Sequence, residues 1–303
     1  MRWVKKGLIF QPPRNLSWMT THAAVPCARK LDGNLYRVYF GGRDEHNRSQ
    51  VGYFEICLDQ PYETRSISRE PVLYLGELGT FDDRGVMPSW TVDHDGRTYL
   101  YYIGWNLGVT VPFYNSVGLA TSEDGGKTFH RFSQGPILGR DPHDPFFTGS
   151  CCVLVEGALW RMWYLSCSRW EKTDSRPKHY YHIRYAESRD GIDWDRTGTA
   201  CIDFKSSEEY AISRPCVIND ADTYKMWYSH RGESYRIGYA ESEDGIRWKR
   251  RDEEAGIDVS TSGWDSEMIE YPFVFDHKGE RYMLYNGNGY GKTGIGLAVL
   301  SEG

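Results

Sequence analysis

A short phrase that recurs three times constrains the fold of this chain more than any other feature. It reads SEDGGKTF at residues 122–129, SRDGIDW at residues 188–194 and SEDGIRW at residues 242–248. Each copy follows a short alternating run and ends in an aromatic residue, which is typical of a β-hairpin with a tight Asp-Gly turn. A hairpin that returns after about sixty residues indicates a β-propeller, in which one supersecondary unit is repeated around an axis.

A second repeat sets the number of blades. Pro26, Pro88, Pro215 and Pro272 each precede an apolar run, a turn and an aromatic-rich strand, and Cys151 holds the equivalent position in a fifth copy. These five marker residues are spaced by 62, 63, 64 and 57 residues. We therefore predict an all-β chain that forms one domain over residues 1–303, a five-bladed β-propeller of four-stranded antiparallel blades. The predicted blades are centred on residues 11–75, 76–138, 139–203, 204–258, and 259–303 together with 1–10.

The N-terminus is predicted to complete the last blade. The chain stops shortly after the third strand of that blade, and Arg2-Trp3 matches Arg247-Trp248, where the fourth strand of the preceding blade begins. Pairing the first strand with the last blade would remove an exposed sheet edge. The sequence therefore predicts a ring that is closed by its N-terminal strand.

Charge and composition argue against several functions. The formal net charge of −6 argues against nucleic acid as a partner, and no apolar stretch is long enough to predict a membrane span. The seven cysteines include three at or near one repeat position, which indicates buried, reduced thiols. With no recognisable export signal, we expect a cytoplasmic protein. No metal or cofactor motif stands out, so we expect neither, and the oligomeric state stays open.

The blade number, the blade length and two short phrases resemble a known group of enzymes. The phrases are MWYS at residues 226–229 and YNGN at residues 285–288. The whole chain resembles the five-bladed propeller glycosidases, which are arabinanases, β-xylosidases, invertase-like fructosidases and mannoside phosphorylases. This resemblance implies a carbohydrate ligand at the axis. The Asp-Gly phrase also resembles the Asp-box of sialidases, which implies outer turns without catalytic function for Asp124, Asp190 and Asp244.

The catalytic carboxylates that this resemblance implies are missing from the first three blades. In arabinanases and xylosidases they stand one or two residues before the marker position. Here these positions carry side chains without an acidic group, namely Ala24, Val25, Val86, Met87, Gly149 and Ser150. The usual catalytic set of the group is therefore absent by this alignment.

Ionisable residues do stand at the equivalent positions of the other two blades. Arg214 directly precedes Pro215, and Glu270 lies two residues before Pro272, where the resemblance to fructosidases and xylosidases implies a catalytic glutamate. A carboxylate is costly to bury unless it is paired or functional. Glu270 is therefore either a catalytic acid or part of a structural ion pair, with Arg214 as a candidate partner.

Loop residues near the same end of the axis complete the predicted site. The predicted catalytic residues are Glu270, Asp83 and Asp144. The predicted substrate-binding residues are Arg214, His22, Arg84, His143, Glu267 and Tyr290. A plain turn is the alternative for Asp83 and Asp144, and a structural hydrogen bond is the alternative for His22.

Two classes of function fit these residues. The first is a glycoside hydrolase, in which one carboxyl group protonates the glycosidic oxygen and another activates water or attacks carbon. In a phosphorylase variant, phosphate would replace water. The second is a glycosidase-like propeller that binds a sugar or an activated sugar without hydrolysing it. Either protein would bind a carbohydrate or a sugar phosphate. The locally basic loop at residues 168–179 could contact an anionic ligand.

Overall fold

Strands account for nearly all the regular structure of the chain. The computed structural model describes residues 1–301. Within them the regular elements are twenty β-strands and one short 3-10 helix at Asp252–Glu254. The all-β prediction is confirmed, and its cause is the repeated pattern of short runs rich in Val, Ile, Tyr and Trp between Gly and Asp turns. No helix in this described part is long and apolar enough to cross a membrane.

The described strands form five antiparallel units of four strands, and a marker residue lies in the first strand of each unit. In chain order the strands are β1 (Trp3–Phe10), β2 (Thr21–Asp32), β3 (Leu35–Arg43), β4 (Ser49–Cys57), β5 (Gln60–Ile67), β6 (Gly85–His94), β7 (Arg97–Leu107), β8 (Phe113–Ser122), β9 (His130–Arg131), β10 (Thr148–Glu156), β11 (Leu159–Glu171), β12 (Lys178–Ser188), β13 (Asp195–Ile202), β14 (Ala211–Asp220), β15 (Thr223–Arg231), β16 (Tyr235–Ser242), β17 (Lys249–Arg250), β18 (Glu270–His277), β19 (Glu280–Asn286) and β20 (Ile295–Leu300). Units 1 to 4 are β2–β5, β6–β9, β10–β13 and β14–β17, and unit 5 is β18–β20 together with β1.

Neighbouring units join where the third strand of one meets the first strand of the next. Units 1 and 2 share a sheet through one parallel bridge between Ser49 and Gly85, and units 3 and 4 through one between Tyr181 and Ala211. Unit 5 forms its own sheet in the order β1-β20-β19-β18. The first strand of each unit lies beside the first strand of the next, and β18 lies beside β2. The first strands of all five units therefore meet around one central region.

The recurring Asp-Gly phrase attaches units 2, 3 and 4 each to the unit before it. Within the turn, Oδ1 of Asp124 accepts hydrogen bonds from the backbone N–H groups of Lys127 and Thr128. The carbonyl oxygen of the turn glycine accepts a hydrogen bond from a buried aromatic side chain of the preceding unit. The donor and acceptor pairs are Tyr39 with Gly126, Tyr101 with Gly191, and Trp163 with Gly245. The phrase thus recurs because it shapes a turn and an interface between units at once.

The cysteines are buried in the strands. All seven are free thiols, and all but Cys57 are buried. Cys27 and Cys151 lie on first strands, where burial raises the pKa of their thiols to about 11 and about 12. Because the thiolate is the reactive form, these cysteines are poor nucleophiles.

The N-terminal strand β1 packs against three units. It pairs antiparallel with β20 of unit 5. Phe10 stacks on Phe54 of unit 1 with ring centroids 4.0 Å apart. Trp3 contacts Trp227 of unit 4 edge-on at 6.0 Å. The strand therefore joins the two ends of the chain through its backbone pairing with β20, and its aromatic side chains pack against units 1 and 4.

Deleting residues 1–10 is expected to prevent cooperative folding. Trp3, Ile9 and Phe10 are 5%, 5% and 6% exposed. Burying such side chains stabilises a fold by about 1.5–3 kcal/mol each, so their loss removes about 5–9 kcal/mol, comparable with the whole stability of a typical domain. Thermal unfolding measured by circular dichroism tests this, with Val4→Ala as the control because Val4 is 40% exposed. A truncated protein with the parent Tm would show that β1 is dispensable.

Candidate functional site

One small cavity lies where the first strands of the five units meet. Its volume is about 170 Å³. Each unit contributes to its lining the residue directly before the marker position, namely Val25, Met87, Ser150, Arg214 and Tyr271. We call this the central cavity. The residues that the repeat aligns in sequence thus come together in space.

The backbone is irregular at this position in every unit. The register between the first and second strands shifts around the marker residue in all five, for example between Ser213 and Cys216. Such bulges redirect side chains next to binding sites. Val25, Arg214 and Tyr271 have positive φ angles of 56°, 52° and 55°. Positive φ costs a residue with a side chain about 1–3 kcal/mol, and such strain clusters at ligand sites.

Arg214 is fully buried but only partly hydrogen-bonded. Its Nη2 donates to the carbonyl oxygen of Pro26 at 2.8 Å, whereas Nε and Nη1 have no hydrogen-bond partner within residues 1–301. The guanidinium carbon lies 5.9 Å from the ring centroid of Trp90 and 5.7 Å from that of Phe273. The sequence left open a structural ion pair between Arg214 and Glu270, and this pair is not formed.

Glu270 is fully buried at the first residue of β18, opposite Asn286. Neither carboxyl oxygen forms a hydrogen bond of standard geometry in the described part of the chain, although the Tyr271 side chain lies near enough to lower the pKa of Glu270. Burial raises the pKa of Glu270 well above its usual value, against the opposing effects of nearby Arg231, Tyr271 and Arg43. A carboxyl group in such a place stays protonated at pH values where an exposed glutamate is ionised. It can therefore act as a proton donor.

Two predicted binding residues, Tyr290 and His22, interact with Arg231 and Arg43 respectively. Neither arginine was predicted from the sequence, and the charges of both also act on Glu270. The Tyr290 hydroxyl accepts a hydrogen bond from Nη1 of Arg231 at 2.8 Å. Burial, Arg43 and Lys292 lower the pKa of His22 to about 4, so its ring is neutral at pH 7. The ring Nδ1 of His22 lies 2.9 Å from the Thr21 hydroxyl. These contacts are compatible with the alternative that His22 forms a structural hydrogen bond and does not bind a substrate.

The repeat contained a signal for both missed arginines. Arg43 and Arg231 each stand three residues after the aromatic residue that ends the second-strand motif, Phe40 or Tyr228. Both arginines are the last residue of a second strand. Second strands end at the same side of the units as the central cavity. Extending the alignment past the aromatic residue would have identified them.

The hairpin of β11 and β12 forms one wall of the central cavity. His179 and Tyr181 line it, with their rings stacked at 5.1 Å. Burial, Arg231 and Lys178 lower the pKa of His179 to about 4. The wall that this hairpin presents is therefore aromatic and neutral, although the sequence at residues 168–179 is locally basic.

Asp144 lies in a structural network outside the cavity lining. It is fully buried, and its carboxylate accepts a hydrogen bond from the Tyr164 hydroxyl at 2.9 Å and pairs with Arg184 at 3.2 Å and Arg196 at 3.0 Å. An acid that bonds the tyrosine of the second-strand motif and a base of the fourth strand recurs in three other units, buried in two of them and half-buried at Asp252. These triads are Asp82–Tyr102–Arg131, Asp252–Tyr228–Arg250 and Asp265–Tyr285–Lys5. The triad explains the burial of Asp144 without a ligand, so its contacts do not favour the catalytic prediction.

The other predicted site residues lie apart from the cavity. Of the predicted site residues only Arg214 lines the cavity. Within residues 1–301 the lining includes neither Glu270, His22 and Tyr290 nor Asp83, Arg84, His143 and Glu267. Oδ2 of Asp83 accepts the backbone N–H of Gly79 at 3.0 Å, which is a turn interaction. His143 and Glu267 are exposed, and Nε of Arg84 is buried without a partner in the same range. No three His, Cys, Asp or Glu side chains among the described residues are grouped closely enough to hold a metal ion.

The fold is that of the glycosidase-like propeller proteins. A solved structure described as "Glycoside hydrolase" superimposes with a TM-score of 0.78 at 19% identity, covering 99% of this chain and 92% of that protein. A thermostable family-43 glycoside hydrolase has a TM-score of 0.67 at 14% identity and covers 96% and 91%. A structure from the GH130 family of mannoside phosphorylases has a TM-score of 0.71 at 16% identity and covers 99% and 93%. The predicted resemblance is confirmed for the fold.

Closer relatives exist among curated proteins, although no protein-family model matches the chain. "Uncharacterized protein MT1551" and "Uncharacterized protein Rv1502", from two strains of Mycobacterium tuberculosis, are each 46% identical over 303 residues. The alignments cover 100% of this chain and of each relative. The chain belongs to the family of these two mycobacterial proteins.

Proposed function

We propose that the chain is a single five-bladed propeller, closed by its N-terminal strand, with its ligand site at the central cavity. The four strands of each unit fall within one of the five ranges that the repeat predicts. The pairing of β1 with β20 and the adjacency of β18 to β2 support closure. Ligands bind preferentially in concave sites such as this one.

We propose further that the protein is a carbohydrate-active enzyme that cleaves a glycosidic bond, with Glu270 as the proton donor. The observation that carries this proposal is the buried, unpaired carboxyl group of Glu270, next in the chain to the cavity-lining Tyr271. Burial keeps this group protonated, which is the state that a general acid needs before it protonates the leaving oxygen. The likeness of the fold to glycoside hydrolases supports the substrate class by analogy.

A phosphorolytic reaction is the second candidate. Hydrolysis with paired carboxylates needs a second carboxyl group about 5–10 Å from the first. The contacts of Asp83 in a turn and of Asp144 in a triad do not favour either residue for this role. In phosphorolysis, phosphate is the nucleophile, so one protein carboxyl group is sufficient. The unpaired guanidinium of Arg214 in the same cavity suits an anionic nucleophile.

A substrate screen decides between these reactions. The purified protein would be incubated with aryl glycosides and with α- and β-linked disaccharides, with and without inorganic phosphate, and the products separated by chromatography. Free sugar without phosphate indicates hydrolysis, and a sugar phosphate formed only with phosphate indicates phosphorolysis. If no glycoside in the panel is cleaved although sugars bind, the enzyme proposal is rejected in favour of a binding protein.

A further inference from the structure

Three arginines at or near the central cavity have no carboxylate partner among the described residues. Arg214 lines the cavity, and Arg43 and Arg231 act on the ionisation of Glu270 beside it. Across residues 1–301 none of the three forms an ion pair; Arg43 donates to Asn47, and Arg231 to the Tyr290 hydroxyl. In contrast, the arginines of the structural triads pair with carboxylates at 2.7–3.0 Å, and these are Arg131, Arg196 and Arg250.

Arg214 is held by two hydrogen bonds, and two of its side-chain donors have no partner among the described residues. Its backbone N–H donates to Oγ of Ser150 at 2.9 Å, and its Nη2 donates to Pro26. Nε and Nη1 are buried without partners in the described chain, and so is the hydroxyl of the neighbouring Ser213, which also lines the cavity. Unpaired buried donors on a cation are strongly unfavourable, and they persist where a ligand completes them. Three unpaired donors thus belong to two adjacent residues that both line the cavity.

We propose that Arg214 and Ser213 bind an oxyanion of the ligand, a carboxylate or a phosphate group, in the central cavity. Such a group offers several acceptor oxygens, and an arginine holds it more strongly than a neutral donor does. The cavity of about 170 Å³ is smaller than the roughly 300–1,000 Å³ of sites for drug-sized ligands, so it accepts one small group. That the ligand is a sugar, which carries the anion or binds beside it, rests on the proposed function. Binding of the anion itself does not depend on a catalytic role of Glu270.

Binding of small anions to the whole protein tests the proposal. The probes are inorganic phosphate, glucuronate and glucose 6-phosphate, with glucose as the neutral control, all at constant ionic strength in isothermal titration calorimetry. We expect at least one anion to bind the wild type and to bind Arg214→Met about tenfold more weakly or worse, since a hydrogen bond to a charged group contributes about 1.5–3 kcal/mol. The pattern among the probes identifies the source as free phosphate, a sugar carboxylate or a sugar phosphate. Arg189→Met removes an exposed charge just after the end of β12, the opposite end of that strand from the cavity-lining Tyr181, and should bind as the wild type does.

A stability measurement separates ligand binding from a structural role of Arg214. Methionine keeps the apolar stem of Arg214 against Trp90 and Phe273 and removes the unpaired cation. The free Arg214→Met protein should therefore unfold at the wild-type Tm or above it. Equal anion affinities of the wild type and the variant would overturn the proposal, as would the absence of binding by all three anions. A large fall in Tm would show that Arg214 is needed for the fold, and the decision would then pass to Ser213→Ala.

Ser213→Ala keeps the test open if Arg214→Met does not fold. This variant removes one unpaired hydroxyl and should weaken anion binding severalfold without lowering Tm. The outcomes also separate this inference from the proposed function. Anion binding that depends on Arg214 in a protein without turnover supports the inference and removes the enzyme. Turnover of a neutral glycoside in a protein that binds no anion supports the enzyme and overturns this inference.

Discussion

Glu270→Gln is expected to lower kcat by about 10²–10⁴-fold on any glycoside that the wild type cleaves, the range that general acid catalysis contributes. Glutamine has the shape of the protonated carboxyl group but cannot transfer its proton to a leaving oxygen. Because the buried carboxyl forms no hydrogen bond of standard geometry in the described residues, its replacement should leave the fold intact. Steady-state kinetics and the Tm of both proteins provide the measurement.

The pH profile gives a second readout of the same role. Burial raises the pKa of Glu270, and only the protonated form donates, so kcat should fall as the pH rises through that raised pKa. The same shift affects stability. The stabilisation from the protonated group is fully present below the ordinary glutamate pKa and is lost as the pH rises through the raised one. The free energy of unfolding of the wild type should therefore fall relative to that of Glu270→Gln as the pH rises from the ordinary glutamate pKa through the raised pKa.

Glu243→Gln is the matched control, because it makes the same chemical change at an exposed residue of an outer Asp-Gly turn. It should keep the wild-type kcat, pH profile and Tm. Undiminished turnover in Glu270→Gln would remove Glu270 from the mechanism. A loss of kcat in both variants would point to a general effect of charge instead.

Asp144→Ala is expected to destabilise the protein by about 3 kcal/mol, which corresponds to a fall in Tm of roughly 5 °C for a chain of this length. The change removes a buried carboxylate that pairs with Arg184 and Arg196 and accepts a hydrogen bond from Tyr164. Breaking a buried ion pair is costly because the remaining charge loses its partner. The arginine side chains are 17% and 14% exposed, which limits the loss to the lower end of the usual range. Urea unfolding gives the free energy.

Asp195→Ala controls for the loss of one carboxylate, since Asp195 is exposed and adjacent to Arg196 in the chain. It should change stability by less than about 0.5 kcal/mol. Asp144→Asn tests the catalytic alternative, because it keeps the shape of the side chain and removes its charge. Turnover per folded molecule should survive in Asp144→Asn. If turnover is lost while Tm is unchanged, Asp144 belongs to the reaction after all.

The sequence alone determined the features that depend on local chemistry. Alternating runs and Asp-Gly turns specify hairpins through interactions between residues close in the chain, so the strands of the four-stranded units could be predicted. The repeat also carried spatial information, because equivalent residues of repeated units lie at equivalent distances from a common centre. For this reason Arg214 could be predicted to point towards the region where the central cavity lies.

The tertiary structure alone decided which ionisable side chains are paired. Glu270 and Arg214 could have formed an ion pair, and Asp144 could have pointed into the cavity, with the same strands and turns. Pairing depends on rotamers and on side chains brought from distant parts of the chain, such as Arg184 and Arg196 against Asp144. Complete burial with polar atoms left unpaired, as the described residues show at Glu270 and Arg214, is likewise a property of packing. The repeat thus determines where residues lie, whereas their ionisation and free donors follow only from the assembled neighbours.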